Sequence, residues 1–391
     1  MKIVFKKESI CAAVTPLLSG VSTKMTIAAA EGILIRAQVP DTCVLTTYDL
    51  EKGVQITMTG DVQVLEEGAA ILNASKFGQT VRAMEGGDIV LTVDSKLCTT
   101  IACGLSSQTM IALPAQDFPE IPRLSSPSGF VISQKLLKET MSKCIYAMGV
   151  NDQRPVFNGL YLNISDGHMD MVSCDSIKIA VCGVRADMEN LNADGEALNF
   201  QFIIPNKSVN ELYKLLDEEE GHMARIYMSR KNVVIVLEDL VFFSKLIEGK
   251  YPDYNRVIIR NHKITVLVDR ECLIGALERA ALVTEEKVPG AVRPHVKLQV
   301  EGNVLKITAV SGTGSSYDEL SIAHTGEDVL IAFNNRYLMD SLRACRSDMV
   351  KISLTSSMTS INIEPADPET DENGEVVCQD LFFLLPVRMK E

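Results

Sequence analysis

Tryptophan is absent from the 391 residues, and aromatic residues make up only 5%. A surface that stacks unpaired bases on rings is therefore poorly supplied. No Cys-x-x-Cys occurs, and the five histidines (168, 222, 262, 295 and 324) form no His-x-x-x-His pair. Both common zinc spacings are thus missing. No phosphate-loop motif occurs either. Ser311-Gly312-Thr313-Gly314-Ser315-Ser316 lacks the lysine that would reach a phosphate and reads as a turn between strands. Asp152, Asp175 and Asp253 could serve as acid and base, but nothing in the sequence brings them together. These absences point away from an enzyme and predict no metal and no cofactor. Long apolar runs are lacking too. Those at 233–237 and 240–243 are strand-sized, far short of the ~18 residues of a spanning helix. The first residues, Met1-Lys-Ile-Val-Phe-Lys-Lys-Glu8, put charge where a secretory signal needs apolar side chains. The expectation is a cytoplasmic protein whose ten cysteines are reduced core thiols.

Apolar residues reach 46%, enough for several cores, and at roughly 150 residues per domain the length suggests two or three domains. Lys and Arg total 38 against 51 Asp and Glu, a net charge of −13. Affinity for phosphate comes from Lys and Arg, so evenly spread charge would argue against nucleic acid. The placement of the cations decides the matter.

That placement follows an internal repeat. Ile71-Leu72-Asn73-Ala74-Ser75-Lys76, Ile203-Ile204-Pro205-Asn206-Lys207 and Ile331-Ala332-Phe333-Asn334-Asn335-Arg336 each read as a strand end opening a helix. Their basic residues, at 76, 207 and 336, are 131 and 129 positions apart. Phe118-Pro119, Tyr251-Pro252 and Leu385-Pro386 recur at 133 and 134. A third set joins a short strand to an amphipathic helix near 8–18, 134–148 and 270–283, with Ser133 and Asp269 as N-caps. The common period is about one third of the chain. It predicts three similar domains, 1–126, 127–262 and 263–391, with a linker at Ser125-Ser126-Pro127-Ser128-Gly129.

Between the helices lie strand-like runs at 32–37, 89–93, 233–237 and 305–310, punctuated by turns such as Glu301-Gly302-Asn303. An α+β chain results, each domain having two helices and about eight strands, with the sheets forming one surface and the helices on one side. The helices carry Lys76, Arg82, Lys135, Lys138, Lys143, Lys207, Lys214, Arg279, Arg336, Arg343 and Arg346, while acids gather at 218–220 and 367–375. Such a basic helical face under an acidic exterior suits a DNA backbone.

Over nearly its full length the sequence resembles the bacterial sliding clamp, the beta subunit of DNA polymerase III. The resemblance is carried by Leu113-Pro-Ala-Gln-Asp-Phe-Pro119, Val156-Phe-Asn-Gly-Leu160, Ile203-Ile-Pro-Asn-Lys-Ser-Val-Asn-Glu-Leu212, Phe243-Ser-Lys-Leu-Ile-Glu-Gly-Lys-Tyr-Pro-Asp-Tyr-Asn-Arg-Val257 and the closing Leu385-Pro386-Val387-Arg388-Met389. It implies three clamp domains per chain, helices lining a hole, antiparallel sheets as the outer wall, and a head-to-tail homodimeric ring around double-stranded DNA. The ring would tether the polymerase without reading sequence. Implied partners are the polymerase III alpha subunit, clamp-loader subunits and other proteins with a clamp-binding motif, and no membrane. A divergent clamp serving repair or a mobile element fits the same residues, and an enzyme with a cryptic site remains the reading from another class.

The resemblance also implies sites. The partner-peptide pocket would comprise Phe157, Cys174, Ser176, Ile177, Lys178, Ile179, Pro252, Arg256, Val257, Asn334, Tyr337, Met358, Ser360, Leu384, Leu385, Pro386, Val387 and Arg388. DNA would face Lys24, Lys76, Arg82, Lys138, Lys143, Lys207, Arg279, Arg336 and Arg343, and the dimer would use Gln108, Met110, Leu282 and Val283. The chain departs from the family's usual Thr-Asp-Gly-His-Arg-Leu, which reads Cys174-Asp175-Ser176-Ile177-Lys178-Ile179 here, and it places Pro155 and Val156 where aromatics often precede Asn-Gly.

Overall fold

The computed structural model describes every residue except 22–26, 122–127, 166, 193–195, 285–294, 313, 372–375 and 390–391. Lys24, most of the expected linker and part of the 367–375 acidic run lie outside the described residues. The α-helices are α1 (Lys7–Leu17), α2 (Ala74–Ala83), α3 (Gln134–Cys144), α4 (Asn206–Leu215), α5 (Arg270–Thr284) and α6 (Asn335–Ala344). Short polar side chains open four of them by accepting a backbone N–H that the helix itself cannot satisfy. Asn73 accepts from Lys76 N at 3.0 Å, Ser133 from Leu136 N at 3.4 Å, Asp269 from Cys272 N at 2.7 Å and Asn334 from Tyr337 N at 3.2 Å. Helix α1 has no side-chain cap and is held by its apolar stripe of Ile10, Ala13, Val14 and Leu17. That stripe meets α2 at Gly78, where a Cβ would lie 3.0 Å from Val14 Cγ1, so a side chain there would push the helices apart.

The chain divides into two compact units. The first comprises Met1–Leu137, Met188–Leu198 and Lys207–Leu246. It holds a five-stranded sheet running from Val62–Glu66 at one edge, through Lys2–Phe5, Ile89–Val93 and Cys98–Cys103, to Ser106–Ile111 at the other. Its ten-stranded sheet is built from Leu113–Pro114, Gly68–Asn73, Gly32–Gln38, Thr42–Tyr48 and Lys52–Met58, and continues through Leu240–Lys245, Asn232–Leu237, Met223–Met228, Ser128–Ser133 and Glu189–Asn190. The two halves join where Leu240 pairs with Ile56 and Ser244 with Lys52. Backbone approach is close at that seam. A Cβ on Gly53 would sit 2.2 Å from the Phe243 ring and 2.3 Å from the Thr47 carbonyl, so only glycine fits.

The second unit comprises Lys138–Asp187, Asn199–Asn206 and Ile247–Glu391. Its nine-stranded sheet repeats the device. Lys178–Arg185 pairs antiparallel with Cys378–Leu384, from Lys178 opposite Leu384 to Val184 opposite Cys378, so strands of the central third continue into those of the last third. A four-stranded sheet, with Ser315–Ser321 at one edge and Val329–Phe333 at the other, completes it. Helices α5 and α6 pack together, burying Leu273, Leu277, Leu338 and Leu342. The expectation of one continuous sheet surface is corrected: the described strands form four sheets, two of which run across the junctions between thirds. Periodicity reveals strands, whereas the choice of edge partner depends on tertiary packing.

Candidate functional site

In the second unit, residues from distant parts of the chain meet around one hairpin turn. Strands His168–Cys174 and Lys178–Arg185 are joined by Asp175, whose Oδ1 accepts from Ile177 N at 2.8 Å and Lys178 N at 2.9 Å. This Asx turn leaves Ile177 39% exposed at its tip. Lys178 is buried. Its Nζ pairs with the Asp175 carboxylate and stands 4.8 Å from the Tyr337 ring centroid. The C-terminal segment leaves its strand at Leu384 and crosses the turn. Leu385 N donates to the Ile177 carbonyl at 3.0 Å, and Val387 N to the Ala332 carbonyl at 2.8 Å. That second bond brings the segment to the strand end before Asn334 and Tyr337. Ser360 is buried just before Ile361, which pairs with Leu384, and Met358 projects from the adjoining turn.

Behind the turn lies an apolar cluster of Phe157, Val172, Ile179, Ile203, Tyr251, Ile258, Leu381 and Phe383, with Cys174 packed half-buried against it. Burial first, then Asp175, pushes the Cys174 thiol up to about 11, so it stays a neutral, unreactive group. Pro252, Arg256 and Val257 follow Tyr251 on the exposed side, Arg256 Nε donating to Asp253 at 3.0 Å. The expected pocket residues are thus brought to one region of one unit. Sequence reasoning missed Arg154. Its Nε and Nη2 hold Asp152 at 3.0 and 3.1 Å, Nη2 also donates to Ser176 Oγ at 2.7 Å, and the guanidinium stacks 4.1 Å from the Phe157 centroid. Hydrogen bonds from Arg154 hold the Asp152 carboxyl below its usual range. The available signal was an arginine placed between an aspartate and an aromatic in a turn-rich loop.

The cations divide into open and committed ones. Lys76 and Lys207 are exposed, and Arg82 donates to Thr15 Oγ1 at 3.0 Å. Lys138 is half-buried. Arg279 grips Asp318 through Nη2 at 2.7 Å and Nε at 3.0 Å, Arg343 bonds Glu278 at 2.8 Å, and Arg336 lies 3.9 Å from Asp340. Lys143 requires a correction. Its Nζ donates to Asp380 at 2.7 Å and to Cys378 Sγ at 3.3 Å, and the two charged side chains are 14% and 5% exposed. Burial alone would lower its pKa. Asp380 outweighs that and raises it, so Lys143 is a charged interior partner and not part of an open basic face.

Of the expected dimer residues, Gln108 and Met110 sit on Ser106–Ile111, the outer strand of the five-stranded sheet. Gln108 Oε1 accepts from Thr80 Oγ1 on α2 at 2.8 Å, and Ile111 is exposed. In the other unit, Leu282 is 79% exposed near the end of α5, with Val283 half-buried beside it. Helix α5 packs against Ser315–Ser321, again an outer strand, from which Tyr317 projects. Among the described residues, one group offers metal-ligating atoms within 4.8 Å of one another: Asp217, Glu219 and His222. Asp217 and His222 already bond each other at 2.9 Å. No described helix is long and apolar enough to cross a membrane.

Three family models cover this chain in order: the N-terminal domain of the DNA polymerase III beta subunit at residues 1–122, its central domain at 131–253 and its C-terminal domain at 255–377. The chain is 28% identical to the beta sliding clamp of Halalkalibacterium halodurans over 375 residues, 95% of this chain and 92% of that protein. It is 31% identical to the beta sliding clamp of Escherichia coli over 333 residues, 84% of this chain and 87% of that protein. The crystal structure of the Bacillus subtilis DNA polymerase sliding clamp superposes over the whole of both chains, with a TM-score of 0.90 at 24% identity. A Pseudomonas aeruginosa sliding clamp bound to griselimycin also aligns along its full length, with a TM-score of 0.87 at 24% identity. With all three family domains matched in sequence order and two relatives aligned over most of their length, the chain belongs to the DNA polymerase III beta subunit family.

Proposed function

We propose that this protein is a replicative sliding clamp. Two copies close head to tail around duplex DNA in the cytoplasm and tether the polymerase, with no chemistry of their own. Processivity then comes from topology, so weak phosphate attraction suffices, and base-specific contacts would hinder sliding. Lys76 and Lys207 are the open cations assigned to that attraction. The outer strands Ser106–Ile111 and Ser315–Ser321 each have an edge that no other described strand pairs with, suited to extending a sheet from one copy into the next. Leu282 and Val283 would meet Gln108 and Met110 there.

The observation that carries the reading is the convergence of Ile177, Leu385, Val387 and Tyr337, with an apolar cluster behind them. A short partner segment could lay its apolar anchors against Ile177, Val257 and Leu385, each worth roughly 1.5–3 kcal/mol when buried. After association costs this suits reversible micromolar binding, which lets polymerase alpha subunit, loader and repair proteins exchange on one clamp. Loading onto circular DNA tests the function. Retention on circles and release after linearisation are expected, and equal retention on both would sink the topological tether.

A further inference from the structure

The Tyr251 hydroxyl is buried and has no hydrogen-bond partner among the described residues, in a residue only 7% exposed. An unbonded hydroxyl away from water is unfavourable. The ring around it is fixed. It stacks on Tyr161 at 4.7 Å and meets Phe157 edge-on at 5.9 Å. The cluster it belongs to includes Phe157 and Ile179, and Cys174 packs against it, three residues of the groove. The ionisable groups about the hydroxyl are the Cys174 and Cys144 thiols and the Tyr254 and Tyr161 hydroxyls, none of which bonds it. Burial keeps it protonated, so it is a donor. Cys174, Tyr161 and Tyr254 are half-buried and Cys144 is buried; of the four, Cys174 is the one that belongs to the groove, and its thiol makes a 3.8 Å contact to the Asp175 carbonyl.

Resting on the groove reading, we infer that the Tyr251 hydroxyl is the buried donor that a bound partner segment satisfies, by bringing a carbonyl oxygen of its backbone or of a side-chain amide in beside Cys174. The groove is then selective for more than apolar shape. A partner offering only hydrocarbon there leaves the donor unbonded, whereas a partner with a carbonyl at that depth gains a bond in a dry environment.

The test is calorimetry on the full chain and on Tyr251→Phe, with a 12-residue peptide from the C-terminus of the same cell's polymerase III alpha subunit. The substitution keeps the ring and removes the donor. Peptide affinity is expected to fall five- to tenfold, while the Tm of the free protein stays level or rises. Equal or tighter binding by Tyr251→Phe overturns the inference, as does a lowered Tm, which would mean that the hydroxyl is already satisfied inside the protein. Alanine substitutions along the peptide separate the two carbonyl sources. A side-chain source shows one position whose loss is felt by the wild type and not by Tyr251→Phe, and a backbone source shows none. A chain lacking 385–391 isolates the underlying reading. If it binds as well as the full chain, or if the full chain fails to bind, the groove assignment fails and the inference with it. If it loses binding while Tyr251→Phe keeps it, only the inference fails.

Discussion

Leu385 donates its backbone N–H to the carbonyl of Ile177 at 3.0 Å, tying the end of the chain to a hairpin tip in its central third. The bond is made by backbone atoms, so it does not depend on the side chains at either position, proline at 385 excepted, and removing the segment abolishes it. Deleting residues 385–391 should therefore abolish binding of a polymerase-tail peptide. The dimer should persist, because its proposed contacts lie on other strands. Calorimetry and light scattering on the truncated chain read both outcomes. Undiminished peptide affinity would move the groove elsewhere.

Leu282 stands 79% exposed near the end of α5, a large apolar side chain that the described residues leave open. Leu282→Asp with Val283→Asp should give folded monomers. A partner pressed on this spot would have to bury two unpaired carboxylates, while a free chain keeps them in water. A dimer that persists in light scattering would refute the assignment.

The open and committed cations should behave differently toward DNA. Lys76→Glu with Lys207→Glu should lower the slope of log K against log salt by about 0.9 for each phosphate that is no longer neutralised. Arg279→Gln with Arg343→Gln should change it less, since both arginines already hold carboxylates within 3 Å. Equal slopes in the two double variants would show that the pairing does not govern DNA binding.

The Lys143–Asp380 pair should matter for stability and not for DNA. Lys143→Met leaves Asp380 charged and buried, which costs about 3–5 kcal/mol. Lys143→Met combined with Asp380→Leu should recover most of that loss in urea denaturation. A single variant as stable as wild type would show that water reaches the pair freely.

His222 provides a pH test. Its pKa is raised first by its hydrogen bond to Asp217, then by nearby carboxylates including Glu238. A raised folded value contributes stability that is fully present below the ordinary histidine range and is lost as pH rises through the folded value. The Asp217 carboxyl is lowered, first by the Glu219 backbone N–H, so its share is present at neutral pH and lost in acid. The stability gap between wild type and His222→Gln should therefore be larger at pH 5.5 than at pH 8. A gap that is constant across this range would show that the pair does not form in solution.

The repeat was legible in the sequence because its markers obey local rules. Asn73 and Asn334 cap helices whose first basic residues keep the period, and Gly302, at φ +55°, makes the turn expected between two strands. Resemblance supplied the groove residues, and the structure brings Ile177, Leu385 and Tyr337 into one place. What stayed hidden depends on partners far away in sequence. Nothing near Lys143 announces that Asp380 will claim it, and the sequence around Arg154 does not reveal that Ser176 will receive its guanidinium. Likewise, no pattern in Lys52–Met58 specifies that its free edge will be taken by Leu240–Lys245.

That last pairing separates what is repeated from what is stiff. Each seam between thirds is stitched by a ladder of backbone hydrogen bonds, and the line dividing the two compact units runs inside the central third instead. The boundaries of the repeat and of the compact units thus do not coincide. A force pulling neighbouring thirds apart must shear a whole ladder at once, whereas copies in a ring would part along edges that no described strand of the same chain completes. Within each unit, the join between neighbouring thirds is therefore a stretch of sheet and not a loose linker.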